Sequence, residues 1–182
     1  MSYIVTQTDV LNYLHNQMGH RVNPGGTDDD LKRYVQTAFD YAWRYYKWSF
    51  AMKTGTTLVD GVLPDDFDLL GYFSLADTYT PTWDADLQKL VLSPAAAQTF
   101  TYQIAPPTLT DELGAPFPSV MAIAMGAVIF AKQGDNPSRA DTTQEWDQWH
   151  ALLDRLVGQA TSNTPRTPQN YLSRAGTFTG AV

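Results

Sequence analysis

The sequence predicts an α+β fold: a four-helix frame, two helices N-terminal and two C-terminal, with a small antiparallel β-sheet insertion and an extended C-terminal arm. Three observations predict it. Apolar residues recur at helical spacing in the first fifty residues and again after Ser119. Between about 51 and 105 the period changes to the alternation and turn signals of strands. Beyond Thr161 neither period survives. One domain is therefore expected over 1–160, with the arm over 161–182.

The elements follow in order. Thr8 reads as the N-cap of a helix over about 8–18, with Val10, Leu11 and Leu14 as its stripe and Gly19 as its stop. His20 to Thr27, with Asn23-Pro24-Gly25-Gly26, reads as a loop. Asp28, Asp29 and Asp30 open a second helix, over about 28–49, where carboxylates meet the positive end of the peptide dipoles. Leu31, Val35, Ala38, Ala42 and Tyr45 are its expected buried face, and Tyr34, Tyr41 and Trp48 form an aromatic stripe beside it.

In the insertion, Thr56 to Val59 reads as a strand and Asp60-Gly61 as a turn. Leu69 to Ala76 reads as another strand, and Thr80-Pro81-Thr82 as a loop. Lys89 to Leu92 and Gln98 to Ile104 read as a strand pair joined through Ser93-Pro94. Pro116 and Pro118 bracket the start of an almost wholly apolar helix over about 119–133, in which Ala122, Ala124, Gly126 and Ala127 permit close packing. Asn136-Pro137 opens the last helix, over about 137–158, with Ala140, Trp146, Trp149, Leu152, Leu153 and Leu156 on its apolar side.

Composition narrows the function. Hydrophobic residues make up 43% of the 182 residues and charged ones only 17%, while aromatics reach 13%. Tyr and Trp pair an apolar body with a polar tip, so this balance fits either a well-filled aromatic core or a surface covered in use. The net charge of −7, from 12 basic and 19 acidic side chains, disfavours tight binding to nucleic acid or to an anionic membrane. No cysteine is present, so thiolate chemistry and disulfides are excluded. The first residues lack the basic and apolar blocks of a signal peptide, and the apolar run from Val120 to Ala131 is too short to span a bilayer.

No motif marks a reaction, and no cofactor is expected. His15 and His20 do not share a helical face, and His150 stands far from both in sequence. The clusters Asp65-Asp66-Asp68 and Asp84-Asp86 lack the ligand spacing of a calcium loop. Gly25-Gly26 lacks the Lys-Ser/Thr of a phosphate loop, and there is no Gly-x-Ser-x-Gly elbow. Trp146 and Trp149 share a face suited to helix packing, with an aromatic ligand box as the alternative. A carboxylate pair assembled in space stays open as the hydrolase alternative.

The order of the pieces is more informative. A short helix and a Gly/Pro loop precede a long helix ending in Tyr45-Tyr46-Lys47-Trp48-Ser49-Phe50. A strand follows, then Leu63-Pro64-Asp65-Asp66-Phe67. Later, Pro116-Phe117-Pro118 precedes a buried helix and Gly134-Asp135-Asn136-Pro137 a charged, Trp-bearing one. This order, over roughly residues 8 to 158, resembles the head-to-tail adaptor (connector) proteins of tailed bacteriophages, including the tail-tubular-protein-A type. Trp48, Phe50 and Leu63 to Phe67 are the motif-like residues.

The resemblance implies a structural virion protein without enzymatic activity, made in the host cytoplasm. It would form a homo-oligomeric ring, commonly of twelve copies, between the capsid portal protein and a tail or nozzle protein. The ring would line the DNA channel with no sequence-specific contact and no membrane. The arm would dock on the portal, with Tyr171, Leu172 and Phe178 as anchors and Arg166 and Arg174 pairing with carboxylates. Another neck or tail-completion protein below the adaptor is the alternative in the same class. A small monomeric binding module is a further one.

Overall fold

The computed structural model describes residues 3–17, 28–57, 60–74, 79–135 and 142–161. The described residues form the expected mixed α+β frame. Two N-terminal helices, α1 (Gln7–Gln17) and α2 (Asp28–Tyr45), and two C-terminal helices, α3 (Val120–Asp135) and α4 (Thr143–Ala160), enclose short strands. The strands are β1 (Tyr3–Val5), β2 (Met52–Thr56), β3 (Phe73–Ser74), β4 (Thr80–Asp84), β5 (Lys89–Ser93), β6 (Thr99–Gln103) and β7 (Ala115–Phe117).

They make three small antiparallel sheets where one was expected: β1–β7, β2–β6–β3 and β4–β5. The pairing of Lys89–Leu92 with Gln98–Ile104 is therefore corrected. β5 turns back on β4 and β6 joins β2, because Thr57 exchanges bonds with Gln98 and Ala96 and draws β6 away from β5. Thr80-Pro81-Thr82 lies in strand β4, not in a loop. Proline is tolerated there because an edge strand has a face whose N–H groups need no partner. Leu69 and Leu70 belong to a turn, not to a strand, because the Asp68 carboxylate accepts the Leu70 N–H at 3.0 Å and the Asp68 carbonyl accepts that of Gly71. Residues 58–59 and 75–78, on which parts of two expected strands fall, lie outside the described residues.

Helix α1 is capped by Thr6, two residues before Thr8. Thr6 and Asp9 form a reciprocal cap: the Asp9 N–H donates to the Thr6 hydroxyl oxygen at 3.1 Å, and the Thr6 N–H donates to the Asp9 carboxylate at 2.9 Å. The Thr8 hydroxyl instead donates to Asp111 at 3.0 Å. Helix α2 ends at Tyr45, not Ser49. Trp48 is extended (φ −60°, ψ 129°) and leads into a single 3₁₀ turn, Ser49–Ala51. The stop at Gly19, the loop 20–27 and Asn136-Pro137 lie outside the described residues, but α4 begins at Thr143, after a non-helical Thr142 (φ −106°, ψ 12°), and not at about 137.

The main core joins α1, α2, α3, α4 and the β1–β7 pair. Val10, Val35, Ala38, Phe39, Ala42, Trp43, Phe117, Ile123 and Leu153 are among its buried members. Gly126 supplies the close approach expected of it: a Cβ there would run into the six-membered ring of Trp149, whose indole N–H donates to the Ala122 carbonyl at 2.7 Å. A second core of Leu63, Phe67, Leu92, Phe100 and Tyr102 lies between the sheets. No described helix is long and apolar enough to cross a membrane.

Candidate functional site

The residues singled out from sequence divide into two junctions and a segment outside the described residues. Arg166, Tyr171, Leu172, Arg174 and Phe178 all belong to that segment.

Trp48 and Phe50 sit at the first junction. Their rings stack at 5.9 Å with 8° between planes, and Phe117 meets both edge-on. The Trp48 indole N–H donates to the Ala42 carbonyl at 2.9 Å. This takes one of the carbonyls that the end of α2 leaves unpaired. The aromatic ending of α2 is thus a plug that seats the helix on the core, with Trp48 fully buried.

Gln103 performs the same task from β6. It is completely buried, and its amide NH2 donates to the carbonyls of Trp43 and Tyr46, while its side-chain oxygen accepts the Tyr72 N–H at 3.1 Å. The Trp43 indole N–H returns a bond to the Ile104 carbonyl at 2.8 Å. Sequence reasoning passed over Gln103, since an amide in an alternating strand reads as a surface residue.

Leu63 to Phe67 form the second junction. Leu63 and Phe67 are buried in the second core, and the Phe67 N–H closes a turn onto the Pro64 carbonyl at 3.0 Å. The carboxylates face outward from it. Asp65 accepts from Lys89 and Asp66 from Lys53, both at 2.9 Å, and Tyr102 donates to Asp66 at 2.6 Å. Burial pushes the Asp66 carboxyl up. The bonds from Tyr102 and Lys53, with the Lys53 charge, outweigh that and hold it below the ordinary carboxylate value. Burial and the Asp66 carboxylate together push the Tyr102 hydroxyl well above its ordinary value.

The carboxylate arrangement nearest to a hydrolase pair is Asp40 and Asp68, which share Arg44. Burial pushes the Asp40 carboxyl up, against the Gln36 bond and the Arg44 charge, and the Asp68 charge adds to the rise. Asp68, however, is only 5% exposed. One oxygen takes the Arg44 Nε–H at 2.6 Å and the other the Leu70 N–H. Both of its oxygens are engaged in the joint, and the side chain is buried away from solvent. Among the described residues no three His, Asp or Glu side chains converge to hold a metal ion. His15 is exposed on α1, and His20 lies outside the described residues. His150 is spent between α4 and α2: its Nε2 lies 2.8 Å from the Tyr41 hydroxyl, and its ring stacks on Tyr41 and Tyr45. Trp146 and Trp149 pack against Tyr41 and Phe130 in the same aromatic cluster, so they are core and not a ligand box.

Exposed apolar groups gather at three rims. Trp83 (64% exposed) and Leu87 stand at the end of the β4–β5 ribbon. The Asp84 carboxylate accepts the N–H groups of Asp86 and Leu87 at 2.9 and 3.0 Å and stiffens that tip. Gln88 completes the turn in the left-handed region, with φ 51°. Leu69 and Leu70 form a second rim on the Asp68 turn, and Tyr3, Ile4 and Leu113 a third on the β1–β7 ribbon. Sequence reasoning did not single out Trp83, and no local signal separates it from an aromatic that packs. No protein-family model and no curated protein matches the chain.

Proposed function

We propose that this chain is a structural virion protein, a head-to-tail adaptor whose copies form a ring between the capsid portal and the tail. The observation that carries the reading is the β4–β5 ribbon, a stiff element that offers Trp83 and Leu87 to solvent while nearly all other aromatics of the body are spent in two cores. Large, exposed, rigidly held aromatics are the usual anchors of protein–protein contacts. The motif residues support the reading in a different way. Trp48, Phe50 and Leu63 to Phe67 build the joint between the helical frame and the sheets, so they specify the scaffold and not the contact. The acidic balance suits a channel that DNA slides through without sticking.

In this reading the ribbon meets a neighbouring copy or the tail protein below, and residues 161–182 reach the portal. A neck or tail-completion protein would share the ring but not the portal contact. The mass of the purified chain, measured with and without a portal ring from the same genome, tests the proposal. A large defined complex that forms only with portal, and is lost on removing 161–182, is the expected result. A chain indifferent to portal would overturn it. Trp83→Ser is expected to keep the fold and to weaken assembly.

A further inference from the structure

The ribbon tip that offers Trp83 and Leu87 has a matching surface elsewhere on the same chain. The turn over 68–72 carries Leu69 and Leu70, 46% and 74% exposed. It is held against the end of α2 and against β6. Arg44 bonds the Asp68 carboxylate at 2.6 Å, and the Lys47 ammonium lies 3.3 Å from the centre of the Tyr72 ring. A Cβ on Gly71 would come within 3.1 Å of the Gln103 Cβ. Tip and turn are both built before any contact, so little chain freedom is lost when they are covered.

Charge separates this turn from the other exposed apolar groups. Among the described residues every lysine and arginine except Lys47 and Arg155 has a carboxylate partner. Arg155 stands on the outer face of α4, where no large apolar side chain is exposed. Lys47 is thus a cation without an anion at the edge of two exposed leucines. The ribbon tip has the opposite balance. Lys89 is taken by Asp65, and the Asp84 carboxylate by the N–H groups of Asp86 and Leu87. Asp86 is left as an exposed carboxylate on the same tip as Trp83, with no ion pair among the described residues.

The β1–β7 ribbon is a poorer match for Lys47. Tyr3 and Ile4 are successive strand residues and point to opposite faces. Asp111, close to Leu113, already takes the Thr8 hydroxyl at 3.0 Å and pairs with Lys32.

An acidic tip with a tryptophan and a cationic turn with two leucines are complementary but not alike. Both are exposed in their own chain, so they meet only between copies, the tip of one on the turn of the next. Such a head-to-tail contact repeats, and it closes into a ring when its rotation divides the circle. We infer that a second copy of this chain covers the turn, with Trp83 and Leu87 on Leu69 and Leu70 and Asp86 facing Lys47. The inference rests on the ring reading and deepens it, because it names the two faces through which neighbouring copies meet.

The chain has no cysteine, so two single replacements at exposed positions test the contact. Leu87→Cys and Leu70→Cys chains are purified separately, mixed in equal amounts and oxidised. The disulfide between unlike chains is expected to exceed the share that random collision gives by several-fold. Lys47→Glu in the Leu70→Cys chain is expected to cut that yield several-fold, and Asp86→Lys in the Leu87→Cys chain to restore it. A yield at the random share overturns the inference, and so does a cut that Asp86→Lys fails to restore. A Leu87→Cys chain that pairs best with itself makes the contact tip on tip and overturns it too. So does a Leu70→Cys chain that prefers Leu113→Cys, which makes the β1–β7 ribbon the occupant. Portal binding is read separately by the mass measurement. Trapping without a portal-dependent complex keeps the contact and removes the adaptor reading; a portal-dependent complex without trapping does the reverse.

Discussion

Replacing Gln103 by Leu tests the account of the joint between α2 and the sheets. Leucine keeps most of the volume and removes every polar atom. Two groups then lose partners: the buried Trp43 carbonyl and the partly buried Tyr72 N–H. The Tyr46 carbonyl keeps the Trp48 N–H at 2.9 Å and is spared. An orphaned buried polar group costs about 1–3 kcal/mol, so two cost about 2–6 kcal/mol. The added apolar contact of Leu returns on the order of 1 kcal/mol. A net loss of about 3 kcal/mol is expected, or roughly 6–12 °C in Tm for a chain of this size. Urea unfolding followed by tryptophan fluorescence reads it as a lower midpoint at unchanged slope. Gln144→Leu, on the exposed face of α4, is the control and is expected to change stability by less than about 0.5 kcal/mol. If Gln103→Leu behaves like that control, the carbonyls at the end of α2 have other partners and the reasoning fails.

Four further outcomes are expected. Gly126→Ala drives a methyl into the buried Trp149 ring and is expected to destabilise by about 1–2 kcal/mol, because overpacking exceeds the roughly 1 kcal/mol gained in helix propensity. At Gly134 the methyl meets only the tip of the partly exposed Tyr34 side chain, which can swing away, so Gly134→Ala is expected to be neutral or better by the same melting assay. The Asp66 carboxyl is held low, so its contribution is present above the ordinary carboxylate range and lost as pH falls through its folded value. The deficit of Asp66→Asn relative to the parent should shrink between neutral pH and pH about 3. Asp40 is held high, so its sign is opposite: the parent gains relative to Asp40→Asn as pH falls. Asp40→Asn is therefore expected to be the more stable chain at pH 7, since Asn still accepts the Gln36 bond.

The helical frame was legible because its signals are local and redundant. Val10 and Leu14, or Val35, Ala38 and Ala42, repeat at one face, and α3 is apolar on nearly every side. The strand layout was less so. Pro81 looked like a loop signal because sequence does not say which side of a strand lies at an edge. β1 and β7, of three residues each, are too short to show a period, and their pairing joins Tyr3 to Phe117 across most of the chain. The end of α2 was misplaced because Tyr46, Lys47 and Trp48 continue a helical aromatic pattern, while the stop comes from Gln103, far away in sequence. Of the candidate site, the Trp48–Phe50 and Leu63–Phe67 residues were found, but the structure gives them to the scaffold. The exposed Trp83 was missed, since an aromatic in a turn-rich stretch looks the same whether it packs or not.

The ribbon that ties Tyr3–Val5 to Ala115–Phe117 also sets a timetable for folding. During synthesis β1 and α1 emerge early; α1 can meet α2 at once, but its packing on α3 and the pairing of β1, which among the described residues is with β7, must wait. At roughly 5–20 residues per second the wait is on the order of ten seconds. The second core has no such delay: Leu63, Phe67, Leu92, Phe100 and Tyr102 all leave the ribosome before β7 does. The sheets thus have the chance to condense first, by short-range closure, and to present Gln103 as a ready-made end-stop for α2. Folding of the large core then waits on its last partners, α3 and α4.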